Sequence, residues 1–436
     1  MRIAVIGSGI AGLASAWLLS RKHDVVLFEA GDYLGGHTHT HDIEMDGRNY
    51  RVDTGFIVHN PANYPLLTRM FDELGVRSKP TTMSFSVHGD AANGHDALEY
   101  NATSINGLFC QRRNLISPPF WGMLRDLRRF YRMAPALLEG NDPGPTLGDY
   151  LERNGFGAMF RDHHLLPMAS ALWSSPSTQI LSFPARYLAQ FMANHHMLQI
   201  SGRPQWRVVE GGSATYVNAM KARWRVDARL NAAVSSVHRN VDGVDIETVR
   251  GSERFDEVVM ACHSDQALRL LGDADDRERE ILGAMPYQAN DVVLHTDASL
   301  LPRNRKAWAA WNAHMPANPA DACTVSYCMN LLQGIDAPKP LVVTMNRTDA
   351  IDPAKVLRRM NYAHPVYSHA SVAAQARKSD IQGQRNTWFA GAYWGWGFHE
   401  DGMRSAVEVA RSLGVAWAHD AVVSPASMLE PDLVPA

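Results

Sequence analysis

The sequence predicts an α/β fold, and two observations carry that expectation. The first lies at the amino terminus. A short apolar run, Arg2–Ile6, meets glycines at positions 7, 9 and 12, then an apolar helical pattern through Leu13, Ala16, Trp17 and Leu19. A second apolar run, Asp24–Phe28, ends at Glu29, which completes a βαβ unit of the Rossmann type. The second observation is a β-rich stretch in mid-chain: Val234–His238, Val244–Thr248 and Glu257–Cys262.

Each part of the βαβ unit has a physical task. Gly7 permits a tight turn, Gly9 keeps a side chain out of the way of a pyrophosphate, and Gly12 lets the helix pack close to the strand. The helix start at Ile10 and Ala11 offers unpaired N–H groups and a positive dipole end to phosphate. Glu29, 17 residues after Gly12, is placed to accept hydrogen bonds from a ribose; an acid there disfavours a 2′-phosphate. The pattern predicts a bound dinucleotide.

Composition sets the outer limits. A chain of 436 residues predicts two to three domains at about 150 residues each. Hydrophobic residues at 46% and charged residues at 20% exclude a disordered chain. A net charge of −3 argues against a nucleic-acid partner. Cys110, Cys262, Cys323 and Cys328 form no disulfide framework and no zinc-like pair, so a reducing, cytoplasmic location is expected. Residues 3–20 have the apolar character of a signal peptide, but three glycines interrupt them; no run approaches the ~20 apolar residues of a membrane helix.

Further residues resemble the flavin-dependent amine oxidase superfamily, which also holds protoporphyrinogen oxidases and phytoene-type desaturases. After Glu29 and Ala30 come Gly35-Gly36, where the family has Gly-Gly-Arg; here His37 replaces the arginine. Asp53-Thr54-Gly55 resembles the family's next D-x-G, and Gly211-Gly212 its mid-chain glycine pair. Near the end, Trp388–Ala392 reads as a strand and turn, and Gly397–Gly402 opens a helix read as Met403–Leu413. The resemblance implies non-covalent FAD, held by Gly7, Gly9, Ile10, Ala11, Gly12, Glu29, Ala30, Gly35, Gly36, His37, Val237, Gly391, Glu400 and Asp401. It also implies a discontinuous FAD-binding domain (1–80, 205–285 and 385–420) and an α+β substrate-binding domain (81–204 and 286–384). Residues 421–436, with three prolines, read as a tail without fixed structure.

No second GxGxxG follows, which argues against reduction by a pyridine nucleotide. The family's amine oxidases commonly carry a lysine on a substrate-domain strand. The corresponding strand here reads Asn290–His295, and no lysine lies between Lys221 and Lys306. The loop Tyr393–His399 is crowded with aromatics, so Phe398, Trp396 and His399 are the catalytic candidates. His399 fits substrate orientation or proton relay, or equally a structural bond at the helix start. Histidines at 37, 39, 41, 195 and 196 lack carboxylates at ligand spacing, so no metal is expected.

Residues 119–138 combine Phe120, Trp121, Leu124, Leu127, Phe130 and Tyr131 with Arg125, Arg128, Arg129 and Arg132. The pattern fits a surface helix of the substrate domain, or a helix lying in the interface of the inner membrane surface. Trp311-Asn312, Tyr327–Asn330, His364–Tyr367 and Gly397–Gly402 resemble a bacterial subgroup of predicted NAD/FAD-binding proteins, some of them linked to fatty-acid modification such as furan fatty acid formation. Together these imply an FAD-dependent oxidoreductase that desaturates a hydrophobic substrate, such as a phospholipid acyl chain, by hydride transfer to flavin. An amine oxidase for a small amine or polyamine, and a non-catalytic flavin- or lipid-binding protein, are the alternatives. No particular oligomeric state is implied.

Overall fold

The computed structural model describes residues 1–90, 97–139, 142–173, 177–199, 202–316 and 323–417. The expected tail at 421–436 lies outside the described residues. The βαβ unit is present: strand Arg2–Ile6, helix Ile10–Leu19 and strand Asp24–Phe28. The two strands form the centre of a five-stranded parallel sheet, ordered Val226–Arg229, Asp24–Phe28, Arg2–Ile6, Glu257–Met260, Thr387–Phe389. Segments far apart in sequence therefore meet in one sheet.

That sheet is buried on both faces, which is why its strands read as continuous apolar runs. Ile3, Val5, Val25, Leu27 and Val259 point to one face, where helices Ile10–Leu19 and His399–Ser412 cover them. Ala4, Ile6, Val26, Phe28, Val258 and Met260 point to the other, against the antiparallel sheet Val234–Asn240, Gly243–Thr248, Gly251–Phe255. The alternation follows from the two-residue period of a strand.

A second, seven-stranded sheet runs in the order Val356–Pro365, Tyr287–His295, Val342–Met345, Thr324–Cys328, Trp311–Met315, Phe85–Gly89, Glu99–Asn101. Only the pairing of Trp311–Met315 with Phe85–Gly89 is parallel among these strands. Helices between 105 and 194 pack beside it around Phe120, Phe130, Phe160, Phe183 and Phe191.

Two elements differ from expectation. The carboxy-terminal helix begins at His399 rather than Met403. The Asp401 carboxylate accepts bonds from the N–H groups of Trp396 and Phe398, each at 3.0 Å, and so starts the helix one turn earlier. Residues 119–138 are not one helix: an α-helix spans Pro118–Met133 and a 3₁₀ turn follows over Ala134–Leu138. Phe120, Met123 and Phe130 on that helix are buried in the core, while Trp121, Arg125, Arg128 and Arg132 are exposed. Among the described residues, no helix is long and apolar enough to cross a membrane.

Candidate flavin site

The glycine turn has the shape its sequence implies. Gly7 holds φ +97°, and a Cβ there would meet Ala261 O at 3.0 Å. A Cβ on Gly12 would lie 1.9 Å from Gly7 O, so only glycine lets the helix come this close to the strand. A Cβ on Gly9, in contrast, would meet nothing within 4 Å. The helix that starts at Ile10 has no side-chain cap and no acid in its first turn. Its first N–H groups, at Ile10, Ala11 and Gly12, therefore have no side-chain partner, as an anion site requires.

Gly35 and Gly36 close this turn from the other side. Both have positive φ, +138° and +57°, and a Cβ on Gly36 would lie 3.0 Å from Gly9 Cα. Ser8 links the segments: its N–H and hydroxyl donate to Glu29 at 3.0 and 2.5 Å, and its Oγ accepts from Gly35 N at 3.2 Å. Glu29 also accepts from Gly31 N at 2.7 Å. The carboxylate placed by sequence on a ribose thus has a task within the protein, fastening the phosphate turn. Ala30 is exposed beside it. Val237 is fully buried, paired with Ile246 and bridged to Leu271. The segment leading to it is tied to the Glu29 end, with Ala232 N on Glu29 O and Asn231 N on Gly31 O, both at 2.8 Å.

The carboxy-terminal loop completes the groove. Gly391 N donates to Ser405 Oγ at 2.9 Å, and a Cβ on Gly391 would collide with the Tyr393 ring at 2.1 Å. Gly402 lies where its helix crosses the first helix, and a Cβ there would meet Ile10 Cγ2 at 2.6 Å.

The side chains of Glu400 and Asp401 depart from their expected role. Glu400 accepts from Leu66 N at 2.9 Å and Leu67 N at 3.0 Å, capping helix Pro65–Leu74. Burial pushes its acid up to about 7, opposed by those two N–H bonds. Asp401 bonds Trp396 N, Phe398 N and Arg404, and burial raises it too. Both carboxylates are committed to protein donors, so contact with a cofactor from this pair would come through the backbone.

His399 is half-buried at the start of its helix. Its ring stacks on Phe56 with centroids 3.8 Å apart, and its Nε2 lies 3.0 Å from Thr38 Oγ1. Burial lowers its pKa to about 3, so the imidazole is neutral. Its contacts with Phe56 and Thr38 hold the ring in place at the helix start. Phe398 and Trp396 line a small cleft together with Asn63, Tyr64, Asn194, His195, Glu400, Asp401 and Arg404. Phe398 stacks on Phe191 at 5.2 Å, and Trp396 crosses Phe191 edge-on at 6.2 Å.

His37 sits in a group the sequence did not reveal. Its ring lies 4.9 Å from Tyr362, 5.1 Å from His364 and 6.3 Å from His263. Its Nε2 is buried with no hydrogen-bond partner in the protein. Burial, reinforced by the other histidines, holds it neutral. His364 is oriented from the neighbouring strand by Asn290. The Asn290 amide donates to Gln288 O at 3.1 Å and accepts from Asn346 at 2.7 Å, which fixes its orientation. It therefore donates to His364 Nδ1 at 3.0 Å and places the His364 proton on Nε2. Gln288 and Asp291 flank Asn290 on the same strand, so the sequence did not single it out; its partner came from register.

Asp53 ties the remaining motifs together. Its buried carboxylate accepts from Ser213 N and Oγ, Thr40 Oγ1 and Gln333 Nε2, all within 3.0 Å. Burial raises it to about 6. Among the described residues, no group of three histidine, cysteine or acidic side chains is arranged to hold a metal.

The family model for flavin containing amine oxidoreductases matches residues 10–306, more than half of the chain. The chain belongs to this family. A Mycobacterium tuberculosis protein with the provisional name flavin-containing monoamine oxidase AofH is 27% identical over 273 residues, 59% of this chain and 56% of that protein. The chain thus spans about half the length of that relative. A 1-hydroxycarotenoid 3,4-desaturase of a Flavobacterium species is 32% identical over 120 residues, 26% of this chain and 24% of that one. The structure of a CLA-producing fatty acid isomerase from P. acnes superposes with a TM-score of 0.66 at 18% identity, covering 94% of this chain and 98% of that one. At that identity the likeness is one of fold.

The flavin amine oxidoreductase family uses FAD, and the residues present fit it. The open space at Gly9, the uncapped helix start and the abutting Gly36 form a cradle for a pyrophosphate. The partnerless Nε2 of His37 is a polar atom left for a ligand close to that turn.

Proposed function

We propose that the chain is an FAD-dependent oxidoreductase that removes two hydrogens from a hydrophobic substrate, such as a phospholipid acyl chain. The observation that carries this reading is the aromatic wall of the cleft at Trp396 and Phe398, backed by Phe191 and His195. The cleft's two carboxylates are already bonded within the protein, which leaves apolar surface as its main offer to a substrate.

When bound, FAD supplies the two-electron acceptor. The backbone of Gly9, Ile10, Ala11 and Gly12, with Gly35 and Gly36, would hold its phosphates, and His37 would take the place of the family's arginine without its charge. Trp396 and Phe398 would position an apolar chain and exclude water. The buried pair Asn290–His364 presents an N–H donor at His364 Nε2, one strand over from Asn290–His295, where amine oxidases commonly hold a lysine. The carotenoid desaturase and the fatty acid isomerase among the similar proteins are in keeping with a lipid-like substrate.

The provisional monoamine oxidase relative favours a second reading, oxidation of an amine. Anaerobic mixing of the flavin-loaded protein with phospholipid, and separately with a panel of amines, distinguishes the two. The first reading requires loss of flavin absorbance with lipid and a product lighter by two hydrogens. Bleaching by amines alone selects the second, and bleaching by neither class overturns both.

A further inference from the structure

Four of the eight large hydrophobic side chains exposed among the described residues fall within 17 positions: Ile105, Leu115, Ile116 and Trp121, with Ile105 80% and Ile116 85% exposed. They form one ordered surface. Trp121 Nε1 donates to Leu115 O at 2.9 Å, and its ring lies 5.5 Å from Phe109. Phe109 N in turn bonds Ile105 O at 3.0 Å. Beneath them Phe109 and Phe120 are buried in the helical core.

Charge is concentrated on the same surface. Between Ala102 and Leu138 there are six arginines and one acid, Asp126. Asp126 is buried and held by Gly157 N at 2.9 Å and by Arg129. On helix Pro118–Met133, Trp121, Arg125, Arg128 and Arg132 follow at intervals of four, three and four, which places them on one stripe. That stripe is opposite the buried Met123 and Phe130, and Arg125, Arg128 and Arg132 are exposed on it. A chain with net charge −3 thus carries one strongly basic face edged by exposed aliphatic side chains.

We infer that this face, residues 105–132, docks on an anionic lipid bilayer. The arginines match acidic headgroups, and Ile105, Leu115, Ile116 and the Trp121 indole enter the interfacial layer. Nucleic acid would satisfy the arginines but leave the isoleucines in water. The surface is not the buried face of Phe120, Met123 and Phe130; it is the opposite face, Trp121 included, together with the preceding turns. This deepens the lipid reading of the substrate but stands apart from it, since its test reads binding and not turnover.

The test uses the full-length, flavin-loaded protein and sedimentation with two kinds of vesicle, phosphatidylcholine alone and phosphatidylcholine with about one-third phosphatidylglycerol. The expected result is at least about tenfold stronger binding to the anionic vesicles, weakened by high salt. The triple variants Ile105→Ser/Ile116→Ser/Trp121→Ser and Arg125→Gln/Arg128→Gln/Arg132→Gln each lose about tenfold. Val241→Ser/Val249→Ser, at exposed positions elsewhere, binds as the parent does. Flavin absorbance and thermal midpoint confirm that every variant is folded. No preference for anionic vesicles, or parent-level binding by either triple variant, overturns the inference. So does duplex DNA bound as tightly as the vesicles, or self-association that Trp121→Ser abolishes without any vesicle binding.

Discussion

Replacing Gly9 and Gly12 separately by alanine distinguishes a cofactor requirement from a folding requirement within one turn. Gly9 has φ −63° and ψ 178°, which alanine adopts without strain, and its Cβ would meet nothing within 4 Å. Reduced freedom of the unfolded chain favours alanine by about 0.4–1 kcal/mol, and poorer capping costs a few tenths, so the flavin-free variant should unfold within about 0.5 kcal/mol of the parent. The new methyl group would fill the space left for the pyrophosphate. Losing one or two charge-assisted N–H bonds there, at about 1.5–3 kcal/mol each, weakens FAD roughly 100-fold. Gly12→Ala behaves differently. Its Cβ would lie 1.9 Å from a backbone oxygen, which cannot rotate away, so the helix must shift on the sheet at a cost of about 3 kcal/mol or more. Urea unfolding of the flavin-stripped proteins and FAD titration followed by fluorescence quenching measure the two effects. If Gly9→Ala binds FAD as the parent does, the phosphate site is elsewhere and the reasoning fails.

Glu400 titrates at about 7 in the folded protein against 4.5 for an ordinary glutamate. The folded state therefore keeps a proton that the unfolded state has lost, and stability falls as pH rises from about 4.5 through about 7. Relative to the parent, Glu400→Gln should gain about 2–3 kcal/mol between pH 5 and pH 8; parallel stability curves would show that Glu400 is not the group responsible. His399, lowered to about 3, should show a flat ¹⁵N chemical shift from pH 5 to pH 9, and a midpoint inside that range would restore it as a proton carrier. Glu278 and Arg239 form a pair with 2% and 0% exposed side chains, so Glu278→Ala should cost about 3–5 kcal/mol in denaturant unfolding; a loss below about 1 kcal/mol would mean that Asp273 alone satisfies Arg239.

Much of the site was legible because its local parts repeat at short range. Strand, Gly7, Gly9, Gly12 and helix are contiguous, and their spacing reflects the geometry of a single turn. The side-chain roles were less legible. Glu400 and Asp401 are adjacent in sequence, yet Glu400 caps a helix more than 300 positions away while Asp401 caps its own. Nothing in their spacing distinguishes those destinations. The amphipathic pattern at 119–138 was real, but periodicity shows only that a helix has two faces. Which face is covered depended on Phe120 and Phe130 meeting the other helices of the core.

The sequence alone determined the glycine turn and the central strands, because each depends on backbone conformation and period over a few residues, while the flavin reading came from resemblance to a known family. Tertiary structure decided that Ser8 and Glu29 fasten the turn, that Asn290 sets the His364 proton, and that an arginine-and-isoleucine face is left outside. Those outcomes depend on which distant atoms come within about 3 Å as the sheets assemble, and hydrogen bonds at that range are set by register and packing rather than by neighbours along the chain.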